Sequence, residues 1–159
     1  MKSLALAFAI LLSAASAVAE TREITPDSVL AEMNLRRLAE RLPPLSAEAR
    51  MMAAARDRMR DMEDLGYWGH VAPDGRSPFL WLHLRNYRYA NAGENLANGF
   101  ETVRLLVDSW MESPGHRANI LSPLFTECGI DVIEGSTRGR ATGKSVIVLF
   151  AREGLSVLP

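Results

Sequence analysis

"ECGIDVIEGSTRGRATGKSVIVLFA", Glu127 to Ala151, reads as two strands and a loop. In its first part Cys128, Ile130 and Val132 recur at every second position, the spacing that sends side chains to one face of a sheet. Its last part, Lys144 to Ala151, is an almost continuous apolar run. Between them, "GSTRGRATG" has the Gly and Thr content of a connection. The stretch predicts a β-hairpin with a long loop, and with it a buried Cys128.

Toward the amino terminus the period changes. "DSVLAEMNLRRLAERL" sets Ala31, Leu35, Leu38 and Leu42 at helical spacing, with Leu30 and Met33 widening the stripe. Asp27 or Ser28 is expected to cap this helix and Pro43-Pro44 to end it. A second helix is expected after Ser46, with Met52, Ala55, Met59 and Met62 on one face and Gly66 at its close. "GYWGHVAPDGRSP" is irregular, and its Pro-Asp-Gly is a turn signal. Ser77-Pro78 can cap and start a short helix through Tyr87. "NAGENLANG" reads as a polar turn region before a helix that faces Val103, Leu106, Val107 and Trp110 inward. Helices first and strands last make an α+β domain whose hairpin is covered by helices.

The chain has 159 residues, a formal net charge of −1 and one cysteine. That length suits a single domain, expected over residues 27–153. The charge lacks the basic excess of a nucleic-acid binder. Cys128 has no partner within the chain, so stability rests on packing and not on cross-links. "MKSLALAFAILLSAASAVAE" has an apolar run from Leu4 to Leu12 and small residues ending in Ala-Val-Ala. This is the layout of a secretory signal peptide, residues 1–19, cut after Ala19. A membrane anchor is the competing reading, but the run falls well short of the roughly 20 residues of a span. No Cys lies near the cut to carry a lipid. The expected location is secreted, periplasmic or extracellular, with no transmembrane segment once the signal is removed.

"WMESPGHRANIL", Trp110 to Leu121, begins like a helix and breaks at Ser-Pro-Gly. Pro114 suits a first helical position, where an N–H would have no partner, and Ser113 can cap the new turn. His116 then sits in a rigid first turn, where the helix dipole disfavours the imidazolium. The chain has three histidines. His83 fits a half-exposed place on a helix, and His70 precedes the Pro-Asp-Gly turn. His70, Glu94 and His116 form a candidate His-Glu-His set able to ligate a divalent metal with one position open. Their spacing is not a local motif such as H-E-x-x-H, so the pattern alone leaves their convergence open.

The ordered run "GHVAPDGRSP … AGENLANG … VDSWMESPGHRANILSPLFTECGIDV" resembles the bacterial branch of the CAP superfamily. That superfamily comprises cysteine-rich secretory proteins, antigen 5 and pathogenesis-related 1 proteins, also called SCP-like extracellular domains. "MNLRRLAERLPPL" is similar to the family's opening helix, with Asn34 and Arg37 at the expected places, and the likeness spans roughly Val29 to Ala151. It implies an α-β-α sandwich, helices packed on a small antiparallel sheet. It also implies a central cleft lined by His70, Glu94 and His116, with Asn95, Ser113 and Asn119 of the same motifs in support. Many eukaryotic relatives add a second glutamate just after the tryptophan. Here Ser113 holds that place and Glu112 is one residue away, a turn of about 100° on a helix. The tetrad is thus expected to be a triad, with Glu112 facing solvent. Trp81 stands near the family's usual arginine, Asn86 precedes Tyr87 where glycine is usual, and the eukaryotic disulfides are absent.

Several members of that family bind divalent metal, notably zinc, in the cleft, and some bind sterols or other lipids at apolar grooves. The resemblance implies a secreted, non-catalytic binding module that holds zinc or another divalent ion, needs no cofactor to fold, and takes a lipid or envelope component as ligand. One alternative is a metal-assisted hydrolase of an envelope or extracellular substrate, with Glu94 as base toward a metal-bound water. A Ser113–His116 nucleophile pair lacks an orienting acid. Another alternative, lipid binding, would draw on Tyr67, Trp68, Phe79, Trp81, Tyr87 and Tyr89, which read more simply as core. Glu94 and Asn95 also have a structural reading, as partners of buried backbone groups.

Overall fold

The structure, a computed structural model, describes residues 23–135 and 143–154. The expected signal peptide and most of the loop in the hairpin lie outside these residues. The hairpin itself is present. Strand β3 (Glu127–Glu134) pairs antiparallel with β4 (Lys144–Glu153), placing Cys128 opposite Phe150 and Ile130 opposite Val148. The other side of β4 pairs antiparallel with β2 (Tyr89–Phe100), and the two-residue β1 (Ser46–Ala47) lies parallel to β3. The sheet order is β1-β3-β4-β2.

The unbroken apolar run of β4 follows from its place. It has strands on both sides and helices on both faces, so neither set of alternating side chains meets water. Val146, Val148 and Phe150 pack with helices α1 (Pro26–Ala39), α4 (Val103–Glu112) and α5 (Pro114–Ile120). Ile147, Leu149 and Ala151 pack with α2 (Ala49–Asp64) and the short α3 (Leu80–Leu84). The result is an α-β-α sandwich. Cys128 is fully buried in β3, and burial pushes its thiol up to about 12. Its neighbour Gly129 faces α2, where an added Cβ would lie 2.0 Å from the Met51 carbonyl oxygen. The helix rests directly on the strand backbone there.

Local rules place several helix ends differently from the sequence expectation. Thr25 caps α1 by accepting from the Ser28 N–H at 3.1 Å, while the Ser28 hydroxyl accepts from the Thr25 N–H at 2.9 Å. This reciprocal capping box suits Pro26 in the first turn. Helix α2 starts after Glu48, whose carboxylate accepts from the Met51 N–H, because Ser46 is drawn into β1. Helix α3 stops at Leu84, and Tyr87 lies beyond it, fully buried.

Two larger corrections concern α1 and β2. Helix α1 buries Val29, Met33 and Arg37, and its Leu35 and Leu38 face outward. An arginine on the inner stripe hid that face in the sequence. Burial disfavours its charge and lowers its pKa, yet every donor group is used. The Arg37 guanidinium donates to the carbonyls of Pro43, Ile120, Ser122 and Phe125, tying α1 to α5 and to the chain leading into β3. "NAGENLANG" is strand and not turn. Its Asn and Gly residues have low intrinsic strand preference, but pairing along β4 overrides it.

Candidate functional site

As strand β2 is an edge of the sheet, its side chains alternate between the two helical layers. Glu94 points into the layer of α2, and Asn95 points into the layer of α5. The "GEN" motif therefore feeds both halves of one site from two adjacent residues.

On the α2 side, Glu94 is buried and both carboxylate oxygens are engaged. Oε1 lies 2.8 Å from His70 Nδ1, and Oε2 accepts from Arg58 Nε at 3.1 Å. Arg58 is itself fully buried. Its remaining donors reach the Tyr67 hydroxyl and the carbonyls of Gly69, at 2.6 Å, and His70, at 3.0 Å. One guanidinium thus fixes the carboxylate and also the backbone that carries His70. Tyr67 donates to Asp61, and Asp61 pairs with Arg76 at 2.9 Å, extending the network to the surface. Burial pushes the Tyr67 phenol up to about 12, so it stays a donor.

On the α5 side, the motif "WMESPGHRANIL" covers the free edge of β2. Carbonyls of Glu94 and Leu96 point away from β4. The first accepts from Asn119 Nδ2 at 3.2 Å and the second from Trp110 Nε1 at 3.2 Å. Asn119 also donates to Asn95 Oδ1 at 2.9 Å, and Asn95 Nδ2 donates to the His116 carbonyl at 3.1 Å. Gly93 is required by this closeness, since an added Cβ would sit 2.6 Å from Asn119 Oδ1. The break at Ser113-Pro114 lets the chain turn so that Trp110, His116 and Asn119 all reach one strand edge. Ser113 supplies the cap position by its backbone, but its hydroxyl makes no cap bond. Glu112 is exposed, and among the described residues Glu94 is the carboxylate bonded to His70.

The two imidazoles meet over this edge, His70 from one layer and His116 from the other, with ring centroids 6.4 Å apart. Hydrogen bonding to Glu94 raises the pKa of His70. Burial lowers that of His116, and the neighbouring His70 adds to the effect. With Nδ1 donating to Glu94, the Nε2 lone pair of neutral His70 is left available, the arrangement that second-shell carboxylates give to metal-binding histidines. Zn–N bonds of about 2.0–2.1 Å at a tetrahedral angle set two ring centroids about 5.2 Å apart, so one shared ion would need these rings to draw about 1 Å closer. The Glu94 oxygens fit less well as direct ligands because both already have partners. Among the described residues no cluster of three or more His, Cys, Asp or Glu side chains is disposed to hold one ion.

The cysteine-rich secretory protein family, CAP, matches residues 30–150, most of the chain. The protein belongs to the CAP family. Its CAP domain is similar to YkwD of Bacillus subtilis, 38% identical over 104 residues, which cover 65% of this chain and 40% of YkwD. The membrane protein YlbC of the same organism is 31% identical over 72 residues, 45% of this chain and 21% of YlbC. This chain thus spans less than half the length of these relatives. Among solved structures, an extracellular SCP-domain protein of Bacillus anthracis superposes with a TM-score of 0.66 at 25% identity, covering 82% of this chain and 45% of that one. An outer surface protein of Borrelia burgdorferi gives 0.70 at 17% identity, covering 84% and 99%. The second likeness is one of fold.

The aromatic residues near the CAP cleft belong mainly to the core. Tyr67 and Tyr87 are buried, and Trp68, Phe79, Trp81 and Tyr89 are partly buried against the same cluster. No described helix is long and apolar enough to cross a membrane. The sequence reading missed Arg58. Its signal was available, because Met51, Ala55, Arg58 and Met62 share one helical stripe, and a charge inside an apolar stripe calls for a buried partner.

Proposed function

We propose that this CAP domain is an exported, non-catalytic binding module whose His70 and His116 hold a divalent ion, zinc above all, with Glu94 orienting His70. The observation that carries this reading is the approach of two imidazoles from opposite layers across one strand edge, with His70 aligned by a buried carboxylate. Export is supported by the signal-like residues 1–19 and by likeness to an extracellular SCP-domain protein. An ion bound there would leave coordination positions for a ligand donor. The engagement of both Glu94 oxygens supports binding over hydrolysis, since a general base needs an oxygen free to take a proton.

Isothermal titration calorimetry of the folded domain with zinc at neutral pH tests the reading. The unsubstituted domain is expected to take up one ion per chain. His70→Ala and His116→Ala should abolish uptake. Glu94→Gln should weaken it by about 10–100-fold, the usual effect of an outer-shell partner. Protons compete for the same nitrogens, so affinity should fall on acidification, beginning above the ordinary histidine value because the His70 pKa is raised. Absence of zinc uptake by the unsubstituted domain would leave the Glu94 network as a purely structural device.

A further inference from the structure

Residues 66–79 form neither helix nor strand, except for turns, and His70 stands among them. Two arginines hold this loop against α2. Before and at the histidine, Arg58 donates to the Gly69 and His70 carbonyls. Beyond it, Arg76 donates to Asp61 Oδ1 at 2.9 Å, and the Ala72 N–H bonds the Arg76 carbonyl at 3.1 Å, closing the Pro-Asp-Gly turn. Both contacts lead back to one side chain. Asp61 lies one turn after Arg58 on α2, its side chain is only 9% exposed, and its second oxygen accepts from the Tyr67 hydroxyl.

The groups in this chain fix its direction. A guanidinium only donates, and a carboxylate only accepts. The Tyr67 oxygen must therefore accept from Arg58 Nη1 while its proton goes to Asp61. A hydroxyl polarised by donating to a carboxylate is a stronger acceptor in turn. With Nη1 held in this way, the guanidinium presents Nε to Glu94 and Nη2 to the loop carbonyls. We propose that Asp61 is a positioning residue for His70, acting through Tyr67 and Arg58 on Glu94 and through Arg76 on the loop. The inference rests on the reading of His70 as a metal ligand for what the positioning serves, but the orientation of the ring can be measured without metal.

NMR of the histidine nitrogens in metal-free protein, at a pH that keeps both imidazoles neutral, tests it by reporting the tautomer of each ring. In the parent, the bond to Glu94 should hold His70 protonated on Nδ1. Asp61→Leu should turn that single state into a mixture of tautomers and weaken zinc uptake by about 10-fold, the low end of outer-shell effects. Tyr67→Phe keeps the ring in the core and removes the hydroxyl alone, and it should give the same change to a smaller degree, as should Arg76→Gln. Asp64→Asn, at an exposed position of the same helix, should match the parent. A purely structural Asp61 would lower the melting point while the folded variants kept the parent's His70 tautomer and zinc affinity, and that result overturns the proposal. If Asp61→Leu does not fold, Tyr67→Phe and Arg76→Gln decide it by the same readout. A parent that binds no zinc sinks the metal reading alone, and the His70 tautomer in the variants still supports or overturns the role of Asp61.

Discussion

Arg58→Met is expected to lower the unfolding free energy by about 3–5 kcal/mol, the usual result of removing one partner from a buried ion pair. The substitution keeps most of the volume inside the α2 stripe. It leaves the Glu94 carboxylate without its cation, and it leaves the carbonyls of Gly69 and His70 without a donor. Urea denaturation, compared by midpoint and slope, measures the loss. A second substitution separates charge from packing. Combining Arg58→Met with Glu94→Met removes both charges, and it should recover the share of the loss that comes from the unpaired carboxylate, because an apolar pair of similar volume often replaces a buried ion pair without penalty. The Gly69 and His70 carbonyls stay without a donor. An Arg58→Met variant within about 1 kcal/mol of the parent would show that the pair contributes no more than an exposed one. The double variant should recover stability while its zinc affinity stays about 10–100-fold below the parent's, since His70 then lacks its orienting acceptor.

Gly129→Ala should be at least as damaging, through sterics alone. The new methyl group would meet the backbone of α2, 2.0 Å from the Met51 carbonyl oxygen and 2.7 Å from the Met52 nitrogen. Flexible side chains can turn away from such a contact, but helix backbone cannot. Either α2 lifts off the sheet or β3 shifts against β4, and both strip buried contacts from Met51, Ala55 and Leu149. Overpacking of ordinary cores costs about 1–3 kcal/mol, and a clash with backbone belongs at or beyond the top of that range. Thermal unfolding followed by circular dichroism should show a melting point far below that of the parent, or no folded protein at all. A melting point near the parent's would mean that α2 has room to retreat despite its close approach to Gly129.

Residues whose own chemistry settles their place were legible in the sequence. The alternation of Cys128, Ile130 and Val132 and the apolar run through Phe150 gave β3 and β4, because those patterns arise directly from a strand covered on one or both faces. Val103, Leu106, Val107 and Trp110 gave α4 in the same way, and all four are buried. Glu94, His70 and His116 were identifiable as candidates by type and motif. Their approach depends on β2 being an edge strand, which no local feature of "NAGENLANG" reveals. That strand exists because β4 pairs with it without a break from Ala92 to Asn98, with register shifts at either end. The inner face of α1 and the role of Arg58 were obscured for one shared reason. Each centres on an arginine, ordinarily a surface residue, whose burial is made tolerable by acceptors distant in the chain.

The covering of the Glu94 and Leu96 carbonyls by Asn119 and Trp110 bears on how copies of this domain coexist at high concentration. A bare strand margin is a template onto which any extended segment can add, the first step toward fibrous aggregates. One flank of the sheet is sealed here by side-chain amide and indole donors, and the opposite flank ends in a strand of only two residues. Runaway strand recruitment therefore has little purchase on either side.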